Sequence, residues 1–201
     1  MYDRFRRAIL RPGTAGKLAV ITSVPQIVGS TASDPVADIA VGCYVARVEN
    51  EAVATFEGPT GSLRIGVERY QFPEITDEHW DSNWLMITGD AVLDGKSWSF
   101  RDPCLTTFEI ERLANWLDQV SSGKVEQAFC GFTEPNLHFE QVSDATLRIA
   151  FSLEALPPWS RSDGDFGEIG INIPIDDRLG AAASSLHALL ARFPIRARNS
   201  S

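Results

Sequence analysis

Residues 84–101 read WLMITGDAVLDGKSWSFR, and this stretch decides the fold. Two arms, Trp84 to Leu93 and Lys96 to Arg101, flank Asp94-Gly95, a dipeptide that accepts the positive φ angles of a type I′ hairpin turn. In the second arm Trp98 and Phe100 fall on one face, Ser97 and Ser99 on the other. Upstream, Leu63, Ile65 and Val67 alternate with Arg64, Gly66 and Glu68, the period-2 signature of a half-buried strand. That strand continues into Tyr70-Gln71-Phe72 and stops at Pro73, and an acidic loop over residues 74–83 leads into the hairpin.

Downstream of the hairpin, Thr106-Thr107-Phe108-Glu109 has capping-box spacing. Ile110, Leu113, Trp116, Leu117 and Val120 then recur at helical spacing until Ser121-Ser122-Gly123 ends the run. Strands are expected over residues 129–133, 137–142 and 146–154, before Pro157-Pro158 breaks the chain. After a Gly/Asp/Ser loop, Ile169, Ile171, Ile173 and Ile175 alternate in a further strand. Pro174 removes a ladder donor there and points to a sheet edge. Asp176-Asp177 opens a second helix, with Leu179, Ala183, Leu186, Leu190 and Phe193 on one face and Pro194 closing it. One-sided strands need one packed and one wet face, and two amphipathic helices are available to cover the packed one. The expected fold is α+β: a mostly antiparallel sheet of about six to seven strands, with two amphipathic helices packed on one face.

Composition narrows the function classes. The chain has 201 residues, 44% of them apolar, and no apolar run of about eighteen residues that would span a membrane as a helix. Asp and Glu number 27 against 18 Lys and Arg, for a net charge of −9. Direct nucleic-acid binding needs a basic face, so it is not expected. Three cysteines, Cys43, Cys104 and Cys130, show no CxxC spacing and suit a reducing, cytoplasmic setting.

Charge also divides the chain. Residues 1–57 hold six basic and six acidic side chains, so the whole excess of acid lies in 58–201. Five basic residues (Arg4, Arg6, Arg7, Arg11, Lys17) precede a weakly apolar run, which invites a signal-peptide reading. Arg11-Pro12-Gly13 and Lys17 cut that run, and no small-x-small cleavage site follows it. Residues 1–57 are therefore expected to be an extension, poorly ordered or a start-site artefact with Val48 or Val53 as the alternative start. The folded domain is expected over 58–201.

Catalytic constellations are missing at the motif level. There is no GxGxxG, GxxxxGK[ST], GxSxG or HExxH, and no Cys/His set with zinc spacing. His79 lies among Asp77, Glu78 and Asp81, but consecutive loop residues seldom converge on one ion, so no metal site is expected. His138 reads as an exposed strand residue, His187 as a residue flanking a helix core face, and Cys104 and Cys130 as buried thiols. No cofactor is implied. Trp80 and Trp159 stand in loops beside charges, where an indole serves either as a lid over the core or as the anchor of a binding surface. Acidic clusters flank both: Asp77, Glu78 and Asp81 around the first, Asp163 and Asp165 after the second. Such a surface would steer a basic partner.

Several strings occur in a definite order: YQFP at 70–73, WDSNWL at 80–85, WSFRDPC at 98–104, FTEPNL at 132–137 and PPW at 157–159. Together, from about Ser62 to Ile195, they resemble the WapI-like family of bacterial immunity proteins. The resemblance implies a non-enzymatic, cytoplasmic antitoxin that binds the C-terminal domain of a secreted polymorphic toxin. In the family's founding pair the target looks like a tRNA-cleaving nuclease. A nuclease must bind polyphosphate, which gives the acidic loops a basic counterpart. The expected toxin-binding residues are Asp77, Glu78, Trp80, Asp81, Trp159, Asp163 and Asp165, on a protein that acts as a monomer away from membranes. The alternative is a small-ligand binding module or an enzyme with a pocket between sheet and helices, near Trp84 and Cys104. The strings also admit a purely structural role, with Asp81 and Asn83 capping backbone donors.

Overall fold

A computed structural model describes residues 52–161 and 167–197. The expectations for residues 1–51, and those for Asp163 and Asp165, lie outside the described residues. Strand β1 (Ala54–Glu57) pairs antiparallel with β2 (Gly61–Tyr70), and β2 pairs with β3 (Trp84–Leu93). The hairpin continues into β4 (Lys96–Thr106), giving a four-stranded sheet in the order β1-β2-β3-β4. At its turn Asp94 has φ 49° and Gly95 φ 78°, the pair of positive angles that the type I′ turn requires. The charge boundary at residue 58 leaves β1 with the preceding segment, whereas the sheet includes it.

Helix α1 (Thr107–Ser121) follows β4 directly. Its capping box is complete: Thr106 Oγ1 accepts from the Glu109 backbone N–H, and Glu109 Oε2 accepts from the Thr106 N–H at 2.8 Å. The chain then forms a second antiparallel sheet, β5 (Phe129–Cys130), β6 (Leu137–Ser143), β7 (Thr146–Phe151) and β8 (Ile169–Pro174), in that order across the sheet. Pro174 stands on an edge strand, as its missing donor demands. Helix α2 (Asp177–Arg192) closes the described domain, with the Asp176 carboxylate accepting from the Arg178 N–H at its start.

The α+β class and both helices are as expected, but the strands form two four-stranded sheets instead of one. Phe56 of β1 and Phe139 of β6 meet with ring centroids 5.5 Å apart, so the inner faces of both sheets share a single core. Leu63, Ile65, Phe100, Leu113, Leu147, Ile171 and Leu186 all belong to it. Burying each such side chain contributes roughly 1.5–3 kcal/mol. At Gly58, in the β1–β2 turn, the first sheet comes close to the second, since a Cβ there would fall 2.0 Å from the Asn172 carbonyl oxygen of β8.

Three strands end elsewhere than the alternation suggests. β5 stops at Cys130 because the Thr133 N–H donates to the Glu109 carboxylate at 2.7 Å instead of joining the ladder. β7 stops at Phe151, and Leu153, at φ 50°, turns the chain into a single 3-10 turn. β4, by contrast, runs on through Pro103 to Thr106, because the ladder slips between Leu85 and Ile87 and a residue without an N–H is tolerated at such an irregularity.

Candidate partner-binding surface

The acidic loop is held from beneath by the segment that follows α2. Asn83, 0% exposed at the end of a 3-10 turn (Asp81–Asn83), makes four hydrogen bonds through its side chain. Its Oδ1 accepts from the Thr107 hydroxyl at 2.6 Å and from the Arg196 N–H at 2.8 Å. Its Nδ2 donates to the His79 carbonyl at 2.8 Å and the Arg196 carbonyl at 2.6 Å. The Tyr70 hydroxyl donates to the Pro194 carbonyl at 2.5 Å, and the Arg196 guanidinium lies 3.4 Å above the Tyr70 ring while donating to the Pro73 and Ile75 carbonyls. Burial pushes the Tyr70 phenol up from its ordinary range, against the pull of Arg196. The YQFP and WDSNWL strings thus clasp the C-terminal segment.

Above that clasp the loop presents its other side chains outward. Glu74, Asp77 and Glu78 are exposed and Asp81 is half-buried. Trp80 is 53% exposed, with its ring edge-on to His79 at 5.3 Å and to Phe108 at 6.2 Å. His79 stacks on Phe108 at 4.7 Å. Alongside runs a groove of about 380 Å³ on the outer face of α1, lined by Phe108, Glu111, Arg112, Asn115, Trp116, Gln119, Glu126 and Gln127. Sequence reading missed this face. Its one available signal was Phe108, an aromatic residue placed off the apolar stripe of an otherwise regular helix.

Trp159 sits elsewhere. Its ring meets the buried Trp98 edge-on at 5.7 Å, and the Lys96 ammonium lies 5.7 Å over it, beside the hairpin turn. Trp98 Nε1 donates to the Ala155 carbonyl at 2.9 Å, and Arg161 donates to the Leu156 and Glu154 carbonyls, which fixes the segment carrying Trp159. Trp80 neighbours the Thr106 end of β4 and Trp159 the Trp98 end, about eight strand steps or roughly 26 Å apart at the usual rise. The structure therefore brings Asp77, Glu78, Trp80 and Asp81 together and leaves Trp159 apart from them.

A second group of carboxylates went unread in the sequence. Asp102 of β4, Glu134 and Glu154 surround Asn136, whose amide donates to Glu154 Oε2 at 3.2 Å and to Asp102 Oδ1 at 3.5 Å. Burial first, then the charges of Glu154 and Glu134, pushes Asp102 up to about 6, and burial with Glu154 and Glu109 also raises Glu134. Because the folded state holds Asp102 above its unfolded value, the stability it retains in acid is lost as pH rises through about 6. Asp102→Asn removes that loss. With the group nearly half solvated, the expected gain at pH 7.5 is discounted to about 1 kcal/mol, or about 3 °C in Tm, and none at pH 4. Thermal melts at the two pH values check this, and an unchanged or lower Tm at pH 7.5 refutes it.

Burial pushes the Cys104 and Cys130 thiols up, away from reactive thiolate character. His138 faces Glu168 at 3.4 Å and His187 faces Asp118 at 2.9 Å, each apart from His79. Among the described residues no group of three or more His, Cys, Asp and Glu side chains is arranged to hold a metal ion. Trp84 and Cys104, the expected rim of a pocket between sheet and helices, are 7% and 0% exposed and are packed into the interior. A further cavity, of about 230 Å³, lies on the outer face of the first sheet beside Arg64, Thr88 and Asp90. No helix among the described residues is long and apolar enough to cross a membrane.

Compared with known proteins, the chain matches no curated protein and no solved structure. It does match the model of one family, described as the immunity protein WapI-like family, over residues 55–194. That span takes in both helices, both sheets apart from Ala54, Asn83 and the Trp80 surface, while Arg196 of the clasp lies just beyond it, and on it the chain belongs to the WapI-like family of immunity proteins.

Proposed function

We propose that this protein neutralises one cognate polymorphic toxin domain in the cytoplasm by binding it, without chemistry of its own. Family membership across residues 55–194 is the observation that carries the reading. The binding is assigned to the matched domain, as a monomer, and the preceding segment is an extension to it. Asp77, Glu78, Trp80 and Asp81 form one candidate contact region, and Trp159 with Asp163 and Asp165 a second. The excess of carboxylates argues for a basic target, and a nuclease domain, whose active face must attract phosphates, has that character. The protein acts by covering that face, which keeps nucleic acid from reaching it.

Co-expression with the toxin domain encoded beside this gene tests the reading. The expected result is restored growth of cells carrying the toxin domain, and a complex that co-purifies with one copy of each chain. Unrelieved toxicity with no complex removes the proposal.

A further inference from the structure

The two candidate regions differ in what they still have to offer a partner. Trp159 already has a cation over its ring, from Lys96, and covers Trp98. Trp80 has neither duty. No cation lies over its ring or over that of Phe108 among the described residues, and its indole N–H makes no hydrogen bond there. Trp98 and Trp116, by contrast, donate theirs to the Ala155 and Gln127 carbonyls.

The charges around Trp80 are equally uncommitted. None of Glu74, Asp77, Glu78 and Asp81 forms a salt bridge among the described residues. The nearest cation in the clasp, Arg196, lies over Tyr70 with its N–H groups on loop carbonyls. Along the adjoining groove Arg112 is likewise engaged, donating to the Gly131 carbonyl and lying 5.7 Å from the Phe132 ring. Glu126 lies on the groove's wall. An open aromatic face beside uncompensated carboxylates matches one chemistry closely. A guanidinium stacks flat on an indole or phenyl ring while its edge donates to carboxylates, which a lysine ammonium does less well.

We propose that Trp80, His79 and Phe108, the 74–81 carboxylates and the outer groove of α1 form a docking surface for a basic, arginine-bearing segment of the toxin domain. The Trp159 region lies outside it. The proposal rests on the immunity reading for the identity of the partner and on the surface itself for the partner's chemistry. A second copy of this chain is the wrong occupant, because the same surface would set carboxylate against carboxylate. Nucleic acid is excluded by the same sign of charge.

Two arms test it. In the first, the full-length, ¹⁵N-labelled protein is titrated with hexa-arginine and, separately, hexa-lysine at low salt. Hexa-arginine is expected to shift the Trp80 indole signal and the 74–81 amides while leaving the Trp159 indole in place. It is also expected to bind several-fold tighter than hexa-lysine and to weaken as salt rises. Trp80→Ala, and the triple change Asp77→Asn, Glu78→Gln, Asp81→Asn, should each reduce hexa-arginine affinity about tenfold. The dispersion of the remaining signals confirms that these surface variants fold. Shifts centred on Trp159, or unchanged affinity in both variants, overturn the proposal.

In the second arm the same variants are co-expressed with the neighbouring toxin domain. Weakened protection relative to wild type supports the surface. Full protection by both variants overturns the surface while leaving the immunity reading intact. Failure of the wild-type protein itself removes that reading, and the peptide titration then decides the surface chemistry alone.

Discussion

Asn83→Ala lowers the stability of the protein by about 3–5 kcal/mol, a large share of what holds a domain of this size together. The residue is fully buried and its amide group is saturated, with two bonds accepted and two donated. Truncation strands four partners at once: the Thr107 hydroxyl, the Arg196 N–H, and the carbonyls of His79 and Arg196. Each unsatisfied buried group costs about 1–3 kcal/mol, and entering water relieves only part of that. Asn83→Asp fails as well, because it keeps the acceptors, loses both donors and places a charge where none is compensated. Urea denaturation gives the size of the effect. Hydrogen exchange locates it, with faster exchange expected at the Arg196 amide before any change in β6 or β7. A loss below about 1 kcal/mol means that the C-terminal segment does not depend on Asn83.

Gly89→Ala is the second large effect expected, at about 2–3 kcal/mol, and Gly89→Val exceeds it. Gly89 stands in β3 directly between Ile65 of β2 and Phe100 of β4. A Cβ there would fall 2.1 Å from Phe100 Cζ, with two further ring atoms within 2.8 Å. The ring cannot easily give way, being buried against the rest of the core, and β3 is paired on both sides, so its backbone cannot retreat. Phe100→Leu on its own leaves a void, but combined with Gly89→Ala it relieves the clash. The double variant should therefore be more stable than the sum of the two single losses predicts, by 1 kcal/mol or more in a double-mutant cycle. Strict additivity in the cycle refutes the close packing of ring on backbone.

Which parts of this molecule are legible in the sequence follows from how far each determinant reaches. The Asp94-Gly95 turn and the Thr106–Glu109 capping box depend on residues within four positions of one another, and both stand where the local rules put them. The inward sets Leu63, Ile65, Val67 and Leu147, Ile149, Phe151 are equally plain, since alternation is local too. Division into two sheets is not, because alternation marks which residues face inward and not whether β4 and β5, on either side of α1, pair with each other. Glu109 shows the limit well. Its capping role is written in the spacing, while the bond to Thr133, which ends β5 early, depends on a loop 24 residues away.

The candidate site divides in the same manner. Trp80 and its carboxylates are conspicuous as an exposed, charged loop, but the placement of Phe108 beside them is a tertiary event. Asn83 reads as a turn residue and turns out to hold a segment 113 residues further along. The grouping of Asp102, Glu134 and Glu154 likewise joins three separate stretches of chain that no local pattern connects.

That 113-residue span bears on when the protein can act. A chain leaves the ribosome from its N-terminus, and the β3–β4 hairpin, with Asn83 at its base, is available long before Arg196 has been synthesised. Until then the Tyr70 hydroxyl and the Asn83 amide must face water or a chaperone, and the loop above them has no floor. Completion of the 74–81 surface thus waits for the segment around Arg196, so a nascent chain, or one clipped before Arg196, offers an incomplete surface to any partner. The lag between translation and competence then includes the docking of the segment around Arg196 beneath the loop.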